Sequence, residues 1–242
     1  MTPSDLRLNG AVIRFDASVL STMEPCLFDP QWLRSNQFWQ GATQGRSQAH
    51  FFQYAGVDMV LRHFHRGGLI SWVNRDLYLR TGAGNSRALR EFDLLREMHT
   101  DGLPVPSPVA AQYVPLGPFY RADIITQRIP NSLPLQEVLG DRALSSHLWA
   151  AIGAHVRDLH DYGVFHSDLN CRNILLDTND RIWFIDFDKC EKRVTGAWMQ
   201  ANLDRLHRSL KKLANQSLDL HWHEEDWADF LAGYTDGAQS AG

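Results

Sequence analysis

The sequence predicts an α+β protein of two lobes: an N-terminal lobe built on an antiparallel sheet with one helix, and a mainly helical C-terminal lobe. Three observations support this prediction. Residues 36–62 are rich in aromatic and β-branched residues interrupted by glycines, a composition typical of short strands. One strongly periodic helix follows near residue 86. Beyond a proline-containing connector at 128–134, helical periodicity dominates.

The N-terminal lobe is predicted to span residues 1–128, with residues 1–35 a poorly defined extension. The strand-like sequence ends with Val57–Arg62, and a Gly- and Arg-rich stretch continues to Gly84. A helix begins near Asn85 or Ser86, because Ala88, Phe92, Leu95 and Met98 recur at helical spacing. Gly102 and Pro104 end it. Residues 109–114 and 120–127 read as two further strands.

The C-terminal lobe is predicted to span residues 129–242 and to hold a long helix that ends at Gly163. Residues 174–176 and 182–185 are short apolar runs, typical of buried strands. Two more helices follow, the second over 222–234. The apolar faces of the long helix and of the first later helix consist of Leu144, Leu148, Ile152, Val156 and Leu159, and of Leu203, Leu206, Leu210 and Leu213.

Composition sets wide bounds on function. The 242 residues are 44% hydrophobic and 21% charged, as in ordinary globular proteins, and the net charge of −4 argues against a nucleic-acid binder. Three cysteines disfavour a disulfide framework and favour a reducing compartment. The first residues lack the pattern of a signal peptide, and no apolar run is long enough to span a membrane. A cytoplasmic location is therefore expected.

One stretch, from His166 to Asp188, combines carboxylates and carboxamides with the two buried strands. Asp168 is followed by Asn173, and Asp186 comes 18 residues after Asp168 at the end of a hydrophobic strand. Phosphoryl transfer from ATP needs a carboxylate to orient and deprotonate an acceptor hydroxyl, and oxygen ligands to hold Mg²⁺ on the phosphates. The pattern predicts Asp168 as the base and Asn173 and Asp186 as metal ligands.

These residues resemble two motifs of the protein-kinase-like superfamily. The segment HSDLNCRN (166–173) is similar to the catalytic loop H-R-D-L-x-x-x-N, with Ser167 in place of the arginine. The segment DFD (186–188) is similar to D-F-G, with Asp188 in place of the glycine. The resemblance implies a protein-kinase-like bilobal fold. The missing arginine suggests that no activation-loop phosphate is bound, which favours a small-molecule or lipid kinase.

The same resemblance implies nucleotide-binding residues upstream. Arg62 ends a strand where the superfamily has its phosphate-pairing lysine, and Glu91 is the natural partner from the helix. A guanidinium can still bind phosphate bidentately. Arg66 is an alternative cation, and Arg62 could instead only cap the strand end. Gly41 and Gly45 are a weaker indication of a loop that covers the phosphates.

Longer stretches resemble the bacterial 3-deoxy-D-manno-octulosonic acid (Kdo) kinase family. They include VLRHFHRGGLISWVNRDLYLRTG, SRALREFDLLREMHTDGLPVPSPVAA, PFYRADIITQRIP and LHDYGVFHSDLNCRNILLD, within residues 36–215. The resemblance implies transfer of phosphate from ATP to the 4-hydroxyl of a Kdo residue on Kdo-lipid A or its precursor, in lipopolysaccharide core synthesis. It also implies peripheral attachment to the cytoplasmic face of the bacterial inner membrane.

Two other hypotheses remain. One is a soluble small-molecule kinase that resembles aminoglycoside or choline phosphotransferases; the other is a pseudokinase that binds nucleotide without turnover. The intact Asp168, Asn173 and Asp186 disfavour the pseudokinase. Residues 62–90 carry six arginines and one aspartate. This basic segment, with apolar residues that include Trp72, favours an anionic lipid surface over a soluble cationic substrate. The acylation of the acceptor, its number of Kdo sugars and the oligomeric state stay open.

Several reactive-looking residues have simpler interpretations. Cys171 and Cys190 are expected to be buried, inert thiols, since nothing nearby lowers a thiol pKa. His221 and His223 resemble metal ligands but do not share a helix face, so they are expected at a solvated helix start. His166 is expected to brace the loop backbone rather than to transfer protons.

Overall fold

The structure is a computed structural model, and it describes residues 3–43, 49–64, 78–79, 82–217 and 219–237. The chain forms two compact units. The first unit consists of Met1–Thr100 and Pro106–Arg128, and the second of Asp101–Val105 and Ile129–Gly242.

The first unit is built on one antiparallel sheet of eight strands, in the order β1-β2-β7-β8-β5-β4-β3, with β6 paired to β8 outside this path. The strands are β1 (Pro3–Leu8), β2 (Ala11–Asp16), β3 (Trp39–Ala42), β4 (Ala49–Tyr54), β5 (Val57–His63), β6 (Tyr78–Leu79), β7 (Pro108–Leu116) and β8 (Phe119–Gln127). The strands predicted at 109–114 and 120–127 are both present and slightly longer than predicted.

No element was predicted for residues 1–35, but residues 3–35 are folded into the first unit. Asn9 and Gly10 have φ angles of 50° and 82°, the backbone of a two-residue hairpin turn between β1 and β2. Strand β2 pairs with β7 and so extends the sheet. A short 3-10 helix (Pro25–Phe28) and helix α1 (Pro30–Ser35) follow, and their Leu27 and Leu33 are fully buried in the core.

Helix α2 (Arg87–Thr100) packs against β7 and β8 and buries Phe92 and Leu95 completely or nearly so. The predicted start is confirmed within a residue or two: the Ser86 hydroxyl accepts a hydrogen bond from the Leu89 amide at 3.4 Å, as an N-cap does. The helix therefore presents one apolar face to the sheet, and Glu91 lies on the buried side of it.

The second unit contains mainly helices and two small sheets, of order β12-β11-β9 and β10-β13. Its elements are β9 (Ser132–Pro134), α3 (Leu135–Asp141), α4 (Ser146–Asp161), β10 (Val164–Phe165), β11 (Ile174–Asp177), β12 (Ile182–Phe184), β13 (Glu191–Lys192), α5 (Trp198–Ala214) and α6 (Glu224–Asp236). The long helix before Gly163, the paired strands around residues 174–185 and the two later helices are present as predicted, although the last helix begins and ends two residues later than expected. Helix α3 was not predicted.

Helices α4 and α6 approach closely at two glycines. A Cβ atom on Gly153 would lie 2.0 Å from the carbonyl oxygen of Phe230, and one on Gly233 would lie 1.9 Å from that of Ala150. Such distances are far inside van der Waals contact, so the two backbones touch and no side chain fits between them. In the part of the chain that the structure describes, no helix is long and apolar enough to cross a membrane.

Candidate active site

The segment from 166 to 173 connects β10 to β11 and is held from within by His166. This side chain is buried, with 1% of its surface exposed. Its Nδ1 accepts a hydrogen bond from the Asp168 amide at 3.2 Å, and its Nε2 donates to the Ile185 carbonyl oxygen at 3.1 Å. Burial lowers the pKa of His166, consistent with the neutral ring that these contacts require. His166 thus ties the loop to the residue before Asp186, the bracing role expected of it.

Helix α5 holds the same loop from outside. The Asn202 carboxamide accepts a hydrogen bond from the His166 amide at 3.1 Å and donates to the His166 carbonyl at 2.9 Å. Further along the helix, the Ser209 hydroxyl accepts a hydrogen bond from the Cys171 amide at 3.1 Å. Between these contacts, Arg205 Nη1 donates to Asp168 Oδ1 at 2.9 Å. The predicted base therefore has a fixed backbone and a cation beside its carboxylate.

None of the three α5 residues was singled out in the sequence. Asn202 carried a detectable signal in the sequence, because it adjoins the apolar stripe that begins at Leu203. In the structure it is only 1% exposed. A buried carboxamide on the core side of a helix needs hydrogen-bond partners. Arg205 carried no such signal, since arginines on the polar face of a helix are common.

The strand pair β11–β12 sets the spacing of the predicted metal ligands. Ile174 faces Phe184 in antiparallel register, and the Ile185 amide donates to the Asn173 carbonyl oxygen at 3.0 Å. Asn173 and Asp186 therefore sit at the same end of one hairpin. The Asn173 side-chain nitrogen donates to the Asp168 carbonyl at 2.9 Å, so its Oδ1 is the atom left to act as a ligand.

Asp186 has a φ of 65°, an unusual conformation for a residue with a side chain. The next residue, Phe187, is buried, and its ring lies 4.8 Å from that of His166. The Ser167 hydroxyl donates to the Asp188 carbonyl oxygen at 2.6 Å. Ser167 and Asp188 are the two departures from the kinase motifs, and they are in contact with each other.

The two cysteines of this region are buried, as expected. Burial raises the pKa of the Cys171 thiol, and therefore disfavours the reactive thiolate. His223 precedes α6, where its amide donates to Asp226 Oδ2 at 2.7 Å in a capping box. The helix-start interpretation is confirmed. Among the described residues, no group of three or more His, Cys, Asp or Glu is placed to hold a metal ion.

In the first unit, the structure brings the predicted nucleotide residues Arg62 and Glu91 together. The Arg62 guanidinium forms an ion pair and hydrogen bond with Glu91 Oε1, linking β5 to α2. The Glu91 side chain is 3% exposed and that of Arg62 is 21% exposed. Arg62 therefore does more than cap a strand end. Arg66, the alternative cation, lies outside the described residues.

The predicted glycine pair is only partly described. Gly41 lies in β3, opposite Phe51 and next to an irregularity in the pairing with β4. Gly45 lies outside the described residues, as does most of the basic segment. Of its arginines, Arg87 donates from Nη1 to the Tyr78 hydroxyl at 2.6 Å and also lies over that ring.

Comparison with solved structures defines the class of fold. A MAP kinase from Leishmania major matches with a TM-score of 0.50 at 17% identity, over 83% of this chain and 63% of that one. The fold is therefore protein-kinase-like, as predicted, with less than two thirds of that kinase covered.

A sequence model described as the lipopolysaccharide kinase (Kdo/WaaP) family matches residues 30–234. The chain is similar to 3-deoxy-D-manno-octulosonic acid kinase of Vibrio vulnificus, with 38% identity over 92% of this chain and 94% of the relative. It is also similar to the proteins of that name from Photobacterium damsela (41% identity, 82% and 85% covered) and Haemophilus influenzae (39%, 82% and 88%). The chain belongs to the lipopolysaccharide kinase (Kdo/WaaP) family and is a phosphotransferase.

Proposed function

We propose that this protein transfers the terminal phosphoryl group of ATP to the 4-hydroxyl of a Kdo residue on Kdo-lipid A or its precursor, in lipopolysaccharide core synthesis. The observation that carries this proposal is the similarity to proteins named 3-deoxy-D-manno-octulosonic acid kinase over 92% of the chain. The residues proposed below for catalysis and metal binding all lie within the matched range 30–234.

Asp168 is proposed as the base that orients the acceptor hydroxyl and accepts its proton. Its carboxylate is about half exposed, on a loop whose backbone is fixed by His166 and α5. A fixed loop with an exposed carboxylate suits a group that must meet a substrate hydroxyl without reorganising.

Asn173 and Asp186 are proposed to hold Mg²⁺, which when bound neutralises the charge that develops on the phosphates. The residues present fit such an ion: one carboxylate and one carboxamide oxygen are hard ligands, and the Asn173 nitrogen is occupied by the Asp168 carbonyl. Two protein ligands suit Mg²⁺, which keeps water and phosphate oxygens as its other ligands.

Arg62 is proposed to pair with the phosphates of ATP, and Glu91 to hold its guanidinium in place. The ion pair between them supports this role. Glu91 is buried, and its contact with Arg62 Nη2 holds the guanidinium of β5 against α2. A guanidinium is well matched to phosphate oxygens, because its planar N–H groups can bind them in pairs. Gly41 and Gly45 are proposed to belong to the loop that covers the phosphates.

The test is incubation of the purified protein with ATP, Mg²⁺ and a panel of acceptors, read by mass spectrometry. The expected result is addition of one phosphate to Kdo-lipid A, and fragmentation should place it at the 4-hydroxyl. Phosphorylation of aminoglycosides or choline with no reaction of Kdo-lipid A would establish the soluble small-molecule kinase instead. Nucleotide binding without turnover of any acceptor would establish the pseudokinase.

We also propose that the basic segment, residues 62–90, attaches the protein to the anionic cytoplasmic face of the bacterial inner membrane. Arg62, Arg87 and Arg90 belong to β5 and α2 of the first unit, so the proposal depends on the other three arginines, Arg66, Arg75 and Arg80. Each basic residue near an anionic surface contributes about 1 kcal/mol, so that three give roughly a hundredfold in partitioning. Such binding is reversible and needs no anchor.

Replacement of Arg66, Arg75 and Arg80 by Gln should weaken binding to anionic liposomes and flatten its dependence on salt, because surface charges are screened within ~10 Å at 0.1 M salt. Flotation of liposomes at several salt concentrations measures this. Turnover of a detergent-dispersed acceptor should change much less. Equal binding of the triple variant and the wild type at every salt concentration would show that this segment has no membrane role.

A further inference from the structure

Helix α5 presents one face to the catalytic loop, and three residues of that face contact it. Asn202, Arg205 and Ser209 are separated by one turn each and therefore line the same side of the helix. Asn202 and Ser209 bond backbone groups of the loop at His166 and Cys171. These two bonds fix the helix against the loop on either side of Arg205.

Arg205 is the residue of this face that does not bond the backbone. Its Nη1 donates to a carboxylate oxygen of Asp168 at 2.9 Å, and both side chains are about half exposed, at 47% and 53%. This contact engages one of the several N–H groups of the guanidinium. An exposed ion pair of this kind stabilises a fold very little, so stability alone gives a weak reason for the contact.

Beyond Arg205, the surface formed by α5 and the loop carries further basic side chains. Arg172 of the loop and Lys212 of α5 lie on this surface, whereas Lys211 is paired with Glu224 at 3.2 Å. A hollow of about 210 Å³ lies between this helix and the loop. Its lining includes Arg172 and Lys212 with the polar Gln136, Asn170 and Ser209, and no carboxylate. The surface beside the proposed base therefore suits an anionic acceptor.

We propose that Arg205 binds the carboxylate of the acceptor sugar and thereby selects an acidic sugar. This inference rests on the proposed function, in which the acceptor is an octulosonic acid and so carries a carboxylate and the reacting hydroxyl on one ring. A guanidinium is the side chain best matched to a carboxylate, because its planar N–H groups can bind both oxygens. Two adjacent groups, Arg205 and Asp168, would then hold the carboxylate and the hydroxyl of the same sugar.

The alternative is that Arg205 only positions Asp168. The two roles differ in a measurable way. A positioning residue affects every acceptor alike, whereas a residue that binds the acceptor's carboxylate affects only acceptors that have one. Loss of a charge-assisted hydrogen bond predicts a rise in the KM for the acceptor of roughly 10- to 100-fold.

The experiment compares Kdo-lipid A that carries one Kdo with the same compound whose Kdo carboxylate is converted to the uncharged carboxamide. With the wild-type protein, the carboxamide should show a 10- to 100-fold higher KM and a similar KM for ATP. Arg205→Gln should raise the KM for the natural acceptor by a similar factor and leave the carboxamide's KM nearly unchanged. Arg205→Lys should recover part of the loss. Arg208 is an exposed cation one turn further along α5. The matched control is therefore Arg208→Gln, which should change the KM of either acceptor little.

Two outcomes overturn the inference while the proposed function stands. One is equal use of both acceptors by the wild type, a measurement that needs no variant and does not depend on folding. The other is an equal loss for both acceptors in Arg205→Gln, which would make Arg205 a positioning residue for Asp168. Absence of turnover of every Kdo acceptor by the wild type would instead overturn the proposed function, and this inference with it.

Discussion

The loop at residues 166–173 of the second unit and the Arg62–Glu91 pair of the first are held in opposite ways. Backbone groups of the loop bond the side chains of His166, Asn202 and Ser209, so its shape does not depend on Asp168. Arg62 is held by Glu91, and the contact is between two side chains. Substitution at Asp168 should thus change chemistry without changing shape, whereas substitution of either Arg62 or Glu91 should disturb the placement of both.

The largest expected effect tests the first half of this comparison. Asp168→Asn should lower turnover by ~10²–10⁴-fold, the usual contribution of a general base, with nucleotide binding nearly intact. Single-turnover assays and nucleotide titration measure the two quantities. Retention of more than about a tenth of the wild-type rate would exclude Asp168 as the base, and loss of nucleotide binding would show that the loop's shape does depend on this side chain.

The hairpin that carries Asn173 and Asp186 provides the second test. Asp186→Ala should lower activity at limiting Mg²⁺ by ~10²–10³-fold, because it removes the carboxylate proposed to hold Mg²⁺, the ion that stabilises the charge developing on the phosphates. Asn173→Ala should cost less, because it removes a neutral oxygen. Activity as a function of Mg²⁺ concentration measures both variants, and both should need more Mg²⁺. Titration curves that match the wild type would remove these residues from the metal site.

The Arg62–Glu91 pair tests the second half of the comparison. Arg62→Ala and Glu91→Ala should each lower kcat/KM by roughly 10- to 100-fold, the loss expected for a charge-assisted contact. The double variant should be little worse than the worse single variant, since each single change already breaks the arrangement. If the logarithms of the two losses simply add, the pair is not coupled, and Arg66 becomes the candidate for the phosphates.

The smallest effect concerns stability rather than turnover. His160 is 1% exposed, its Nδ1 contacts the Tyr234 hydroxyl at 2.8 Å, and burial lowers its pKa from 6.5 to about 4. The unfolded chain therefore binds a proton at pH values where the folded protein does not, and stability is lost as the pH falls from about 6.5 towards 4. At pH 5 the loss is about 2 kcal/mol.

Unfolding by urea at pH 7.5 and pH 5 measures this loss. His160→Gln should lower the free energy of unfolding at both pH values but show a smaller difference between them. Burial also lowers the pKa of His166, so this residue too reduces the stability of the folded protein as the pH falls. Some pH dependence of the free energy of unfolding should therefore persist in the variant. A variant with the full wild-type pH dependence would show that His160 is not responsible for it.

How much of this could be predicted from the sequence depended on the distance between partners along the chain. The β11–β12 strand pair, which links Asn173 to Asp186, is local and was predicted from two short apolar runs. The contact of His166 with Asn202 spans 36 residues. No local periodicity indicates which face of a distant helix meets a given loop, so the contribution of α5 required the structure.

Two local features were missed for different reasons. The Asn9–Gly10 dipeptide is a strong hairpin signal, but β1 is largely exposed and its apolar alternation is weak. Helix α3 has only seven residues, too few for a helical period to be distinguished from a connector. The ion pair of Arg62 and Glu91 was expected only because the surrounding residues resemble a known family, since a strand and a helix 29 residues apart show no pairing by themselves.

The close approach of α4 and α6 also has a consequence for the order of events during synthesis. Gly153 of α4 lies before the loop at 166–173 in the chain, and Gly233 of α6 lies well after it. The helix that leads into the loop therefore cannot complete its packing until residues beyond 233 have emerged from the ribosome. The elements of the first unit, by contrast, end at Arg128. Translation thus passes Arg128 while the second unit still lacks α6, and α4 completes its packing only after α6 has emerged.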